Sequence, residues 1–140
     1  LQAEIQRILR IARTHPNLRN VRIVSDHLEE ARISVPPDLF EQSLLNMLLN
    51  AGQVMPDGGT LEVRLSKGKS GGILEVHDSG PGIPPEQRKQ IFQAGYSTKR
   101  EGCGIGLLTV RAFVAAVNGS ITVGESPLGG AVFTLTIPGI

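Results

Sequence analysis

Two short stretches constrain the fold more than any other feature of this chain. In residues 61–65, Leu61, Val63 and Leu65 alternate with Glu62 and Arg64. In residues 74–78, Leu74 and Val76 alternate with Glu75 and His77, and the next residue on the apolar side is Asp78. Period-two alternation marks a strand with one buried face and one wet face. The pair therefore reads as neighbouring antiparallel strands of a sheet covered on one side. The same alternation aims the Asp78 carboxylate at the apolar side, where a charge without a partner is costly.

The covering layer must be helical. Leu1, Ile5, Ile8, Leu9 and Ala12 form one stripe over residues 1–13, and His15-Pro16-Asn17 closes that helix. Pro36-Pro37-Asp38 opens a second helix, over 37–55, which Pro56-Asp57-Gly58-Gly59 stops. A third runs from Gly104 to Val117, with Gly119 as its terminator. Val21–Val24, Ala31–Val35, Ile121–Val123 and Val132–Ile137 read as further strands, the last two as a hairpin through Gly124–Gly130. A short helix is expected over Pro85–Phe92 inside a Gly/Pro-rich stretch, 79–104. The sum is an α+β two-layer sandwich, a mixed and mostly antiparallel sheet with helices on one face.

The totals narrow the function. At 140 residues the chain suits one domain, and with aromatics at 4 % its core must be Leu, Ile, Val and Ala. A net charge of +1 excludes a polyelectrolyte footprint for nucleic acid. The single cysteine, Cys103, excludes an internal disulfide and an all-cysteine metal site. No apolar run is long enough to span a bilayer. Because the chain opens inside a helical pattern, it is expected to be a piece of a longer protein.

Three segments carry chemistry. Gln42, Asn46, Asn50 and Gln53 form a polar stripe on the second helix. A solvated face explains such a stripe, but asparagine is a poor mid-helix residue, and its amide oxygen suits one place in a largely hydrated Mg²⁺ octahedron. In Asp78-Ser79-Gly80-Pro81-Gly82-Ile83, an exocyclic amine such as that of adenine would satisfy the inward carboxylate, and the glycines admit a flat ring. A type II turn is the competing reading of that hexapeptide. Gly102-Cys103-Gly104-Ile105-Gly106-Leu107 leads into a helix, where bare backbone N–H groups attract phosphate.

In order and spacing, Phe40–Val54, Asp78–Ile83, Ile91–Lys99 and Gly102–Leu107 resemble the N, G1, F and G2 boxes of sensor histidine kinase catalytic domains. Gly129-Gly130-Ala131-Val132-Phe133 and Pro138 resemble that family's last strand. The resemblance implies the Bergerat ATP-binding sandwich, with ATP and Mg²⁺ as ligands. It implies Asn50 as the metal ligand and Asn46 as support for metal and phosphates. Asp78 would accept the adenine amine, with Gly80, Gly82 and Ile83 around the ring. Residues 84–102 would form a lid, anchored by Phe92 and carrying Tyr96, Ser97, Thr98 and Lys99, the last near the terminal phosphates as the one possible catalytic group. Gly102, Gly104, Ile105, Gly106 and Leu107 would offer backbone to phosphate. Gln53 stands where the family often has Lys or Arg, and Val54 near a usual aromatic.

The function so implied is transfer of the γ-phosphate to a histidine on a separate phosphoacceptor helix bundle, then to a response regulator, within a homodimeric cytoplasmic or membrane-anchored parent. The domain itself would touch neither nucleic acid nor membrane. Residues 1–14 would be the tail of the bundle and 15–140 the catalytic domain. None of His15, His27 or His77 has a phosphoacceptor setting, and all three read as surface or linker histidines. Two alternatives share the fold: a nucleotide-dependent partner-binding domain and a serine kinase of the anti-sigma type. A hydrolytic ATPase of this fold would carry a general-base Glu where this chain has Asn46.

Overall fold

The computed structural model describes residues 1–31, 33–69, 71–88, 91 and 103–139. Five strands form one mixed sheet: β1 (Val21–Leu28), β2 (Gly59–Lys67), β3 (Gly71–Asp78), β4 (Ser120–Glu125) and β5 (Ala131–Pro138). Their spatial order is β1-β2-β3-β5-β4. The β1–β2 pair is parallel, and the others are antiparallel. Three helices, α1 (Gln2–Arg13), α2 (Pro37–Gln53) and α3 (Cys103–Ala116), share one core with the sheet. This is the α+β sandwich expected from the alternation.

The alternation itself holds residue by residue. Leu61, Val63, Leu65, Leu74 and Val76 are all buried, and in the same register Arg64 faces Glu75 and Glu62 faces His77 on the open side. In α1 the expected stripe goes inward: Ile5, Ile8, Leu9 and Ala12 are buried in the same cluster as the sheet. Arg7 of α1 pairs with Glu4 at 2.8 Å and with Glu41 of α2 at 2.6 Å, clipping the two helices together. The two carboxylates hold the Arg7 guanidinium still more firmly protonated than usual.

Helices α2 and α3 pack antiparallel. Phe40 and Phe113 pack at a tilt of 51° with ring centroids 5.3 Å apart, and the Ser43 hydroxyl donates to the Thr109 carbonyl at 3.2 Å. The order of these contacts, early residue of α2 against late residue of α3, lays the C-terminal half of α2 beside the first turn of α3.

Several expectations change. Ala31–Val35 is irregular rather than a strand at its described residues, with Ala31 filling a core position. Four residues longer than expected, β1 extends to Leu28 and puts His27 at an exposed strand position. After Pro84 the described chain makes a 3₁₀ turn at Pro85–Gln87, and residues 89, 90 and 92 of the expected short helix lie outside the described residues. At the end of α3 the left-handed residue is Asn118, at φ 56°, not Gly119. Gly119 is needed for a different reason: a Cβ there would collide with the Thr136 carbonyl of β5. An asparagine tolerates the left-handed conformation, so the glycine is left to the point of closest approach.

Candidate nucleotide-binding site

The site grows from the end of β3. Asp78 is only 5 % exposed, and its position is fixed by neighbours on both sides. Its Oδ1 accepts N–H bonds from Gly80 at 2.9 Å and from Ala131 at 3.1 Å, and its carbonyl accepts from Gly130 at 3.1 Å. The two side-chain bonds both fall on Oδ1, and none from the described residues falls on Oδ2. Burial pushes the Asp78 carboxyl above the ordinary carboxylate range, while the N–H bonds from Ala131 and Gly80 and the neighbouring His77 oppose that shift. The acid sought by the alternation is therefore inward, held and only half satisfied.

Gly130 makes this arrangement possible. A Cβ on it would overlap Asp78 Oδ1 and come within 2.7 Å of the Gly80 nitrogen. Ser79 secures the other edge: its hydroxyl accepts from Thr60 N–H at 2.9 Å, and its own N–H donates to the Thr60 carbonyl at 3.1 Å. Downstream, Gly82 has φ 78°, and Arg88 donates to the Ile83 carbonyl at 3.1 Å.

Helix α2 supplies the second wall. Val54 and Met55, just past its end, lie against Gly80, and Met55 Sδ is 3.5 Å from the Ser79 hydroxyl. Asn50 stands one turn earlier and Asn46 a further turn back, both half-buried. No side-chain hydrogen bond holds either amide among the described residues. Gln53, also half-buried, does have a partner. Two hard, neutral amide oxygens on one stripe fit a cation that keeps most of its ligands as water and phosphate. They do not form a protein cage, and no cluster of three His, Cys, Asp or Glu occurs among the described residues.

Gly104, Ile105 and Gly106 lie in the first turn of α3, and Leu107 is buried behind them. Antiparallel packing sets this turn beside the asparagine half of α2, and a helix start leaves its first N–H groups without intrahelical partners. Phe92, Tyr96, Ser97, Thr98, Lys99 and Gly102 lie outside the described residues.

Sequence reasoning missed the β4–β5 turn as a wall of this site, although its tandem Gly129-Gly130 was a visible signal. His77 also needs correction. Far from a surface residue, it is 7 % exposed, with Nδ1 2.8 Å from Ser126 Oγ and Nε2 3.3 Å from Glu75 Oε1. His15 is exposed as expected, and its Nδ1 accepts from Asn17 N–H at 3.1 Å.

The architecture is that of histidine kinase ATP-binding domains. It superposes on a mycobacterial sensor histidine kinase, MprB, with a TM-score of 0.86 and 25 % identity, over 98 % of this chain and 94 % of that one. It also superposes on full-length ShkA, solved in complex with AMPPNP, with a TM-score of 0.82 and 25 % identity, over 98 % of this chain and 29 % of that one. In sequence, the sensor histidine kinase ZraS of Escherichia coli O157:H7 is 36 % identical over 99 % of this chain and 30 % of its own length. Residues 35–139 match the family of histidine kinase-, DNA gyrase B- and HSP90-like ATPases, and the chain belongs to that family. It spans 11–30 % of the length of the curated sensor kinases it matches.

Proposed function

We propose that this chain is the catalytic domain of a two-component sensor kinase, binding Mg-ATP and presenting the γ-phosphate to a histidine on a separate phosphoacceptor helix bundle. The observation that carries the reading is Asp78: a buried carboxylate whose Oδ1 takes two backbone N–H bonds while Oδ2 is left for an amine. Adenine offers that amine on a flat ring, and Gly80, Gly82 and Ile83 border the place where the ring would lie.

Asn50 would ligate Mg²⁺ and Asn46 would support it, and the ion would neutralise charge between the phosphates. The first turn of α3 would receive the phosphates on backbone N–H groups. Lys99 and the other residues of the 84–102 segment would close over them. The domain's own work is positioning, since the attacking group comes from the bundle. Glu41, the one glutamate of α2, is engaged by Arg7 at 2.6 Å, which favours phosphotransfer over attack by an activated water. A response regulator would receive the phosphate next, from a homodimeric parent acting in the cytoplasm. Among the described residues no helix is long and apolar enough to cross a membrane.

Calorimetric titration with Mg-ADP tests the reading. A charge-assisted hydrogen bond contributes about 1.5–3 kcal/mol, so Asp78→Asn should weaken binding about 10- to 150-fold. The fold should survive, because the substituted amide keeps an oxygen for both backbone N–H groups. Folded wild-type protein that takes up no Mg-ADP would refute the nucleotide site and favour the partner-binding alternative.

A further inference from the structure

We propose that His77, acting through Ser126, is a positioning residue for base recognition: it holds the β4–β5 turn where that turn can aim Asp78. The inference rests on the nucleotide reading above. His77 and Asp78 are consecutive on β3 and face opposite sides of the sheet, yet both bind the same turn. On one side, Gly130 N–H and Ala131 N–H go to the Asp78 carbonyl and carboxylate. On the other, His77 Nδ1 meets Ser126 Oγ at 2.8 Å. The turn between them closes on itself: Ser126 N–H donates to the Gly130 carbonyl at 2.8 Å, Gly129 N–H donates to the Ser126 carbonyl at 2.9 Å, and Leu128 N–H donates to Ser126 Oγ at 3.1 Å.

One proton arrangement satisfies the whole network. Ser126 donates its hydroxyl proton to Nδ1, and Nε2–H donates to Glu75 Oε1. Buried polar networks that are complete in this way fix a single geometry, whereas an apolar filler at position 77 would only occupy volume. The chain of contact reaches the site in two steps, His77 to Ser126 and Ala131 to Asp78. Releasing Ser126 frees the turn, and a displaced Ala131 N–H leaves the Gly80 backbone N–H as the remaining donor to the carboxylate. Oδ2 is then no longer aimed.

The test is Mg-ADP calorimetry on the 140-residue chain, with His77→Ala, Ser126→Ala and His77→Asn each in the wild-type and Asp78→Asn backgrounds, and melting curves for every variant. His77→Ala and Ser126→Ala should each weaken binding about 3- to 10-fold, the range of one neutral hydrogen bond. His77→Asn should recover most of it, because its amide places an acceptor near the former Nδ1. In the Asp78→Asn background the loss should vanish, as it must when one residue acts through another. In Ser126→Ala, which leaves His77 itself in place, the pH below which Mg-ADP binding fails should also move upward, because Asp78 loses an N–H donor. The charged groups facing His77, Glu75 on its own strand and Glu62 opposite it on β2, stay the same across these variants. Wild-type affinity in folded His77→Ala and Ser126→Ala would overturn the inference, and so would equal losses in both backgrounds. If His77→Ala does not fold, Ser126→Ala carries the same test from the turn. Wild-type protein that fails to bind would overturn the nucleotide reading and this inference with it, an outcome distinct from wild-type binding with unaffected variants.

Discussion

The base side and the phosphate side of the candidate site are built on opposite plans. On the base side every fixed contact is made by the protein itself: Asp78 is locked by Gly80, Gly130 and Ala131, Ser79 by Thr60, and the turn by His77. On the phosphate side the asparagine amides of α2 have no side-chain bond among the described residues, and the first turn of α3 has helix-end N–H groups to offer. The difference suits what each side would bind in the proposed reading. A neutral ring is discriminated by one preset acceptor, which must not rotate. A hydrated metal and a flexible polyphosphate bring their own ligands, so open groups on rigid helices suffice.

Gly130→Ala should break the comparison most severely. Its methyl group would displace the Asp78 carboxylate, so Mg-ADP affinity should fall by at least about 100-fold, with a stability loss of about 1–3 kcal/mol from overpacking. Urea denaturation and calorimetry on the same sample would measure both. Asn50→Ala should act on the other side, reducing Mg-ATP affinity about 10-fold while leaving adenosine binding and metal-free ADP binding unchanged, as a charge-assisted contact of about 1.4 kcal/mol requires.

A pH titration sharpens the base side alone. Burial raises the Asp78 carboxyl, so the folded state favours its protonated form. Its stabilising contribution is then fully present below the unfolded carboxylate's pKa and is lost as pH rises through the higher folded value. At neutral pH the buried carboxylate is destabilising, and an adenine amine would offset that. Mg-ADP affinity should therefore fall with decreasing pH earlier than for an unperturbed carboxylate, by up to about tenfold per unit below the raised value. Affinity that stays flat down to the ordinary carboxylate range would contradict this. The smallest effect is expected from Asn46→Ala: helix propensity predicts a gain of about 0.5 kcal/mol in thermal stability, with weaker Mg-ATP binding. A loss of stability would mean that Asn46 serves the fold and not a ligand.

Much of this was legible in residue order. The alternation at 61–65 and 74–78 located both central strands and the inward direction of Asp78, because a strand's period is set by backbone geometry. The stripe of α1 and the opening of α2 at Pro37 were equally local. What escaped was non-local. His77 reads as solvent-facing because it lies on the open side of β3, and only the fold brings Ser126 across to bury it. Ala31–Val35 has a strand's composition, yet β1 already occupies the edge beside β2 through its register from Val21 to Leu28. Asn118 took the left-handed position beside a glycine because the close approach of Thr136, from another strand, had claimed Gly119.

By itself, then, the sequence determined the three helices, the two central strands with their buried faces, and the chemical types available: an inward acid, two helical amides and a glycine-rich helix start. Each follows from torsional periods and side-chain chemistry that act within a few residues. Tertiary structure alone decided the strand order, with β5 between β3 and β4, and so which turn lies against Asp78. The physical reason is distance along the chain: the Ala131 N–H that holds Asp78 comes from 53 residues away, and no local preference specifies such a bond until the sheet that carries both partners has formed.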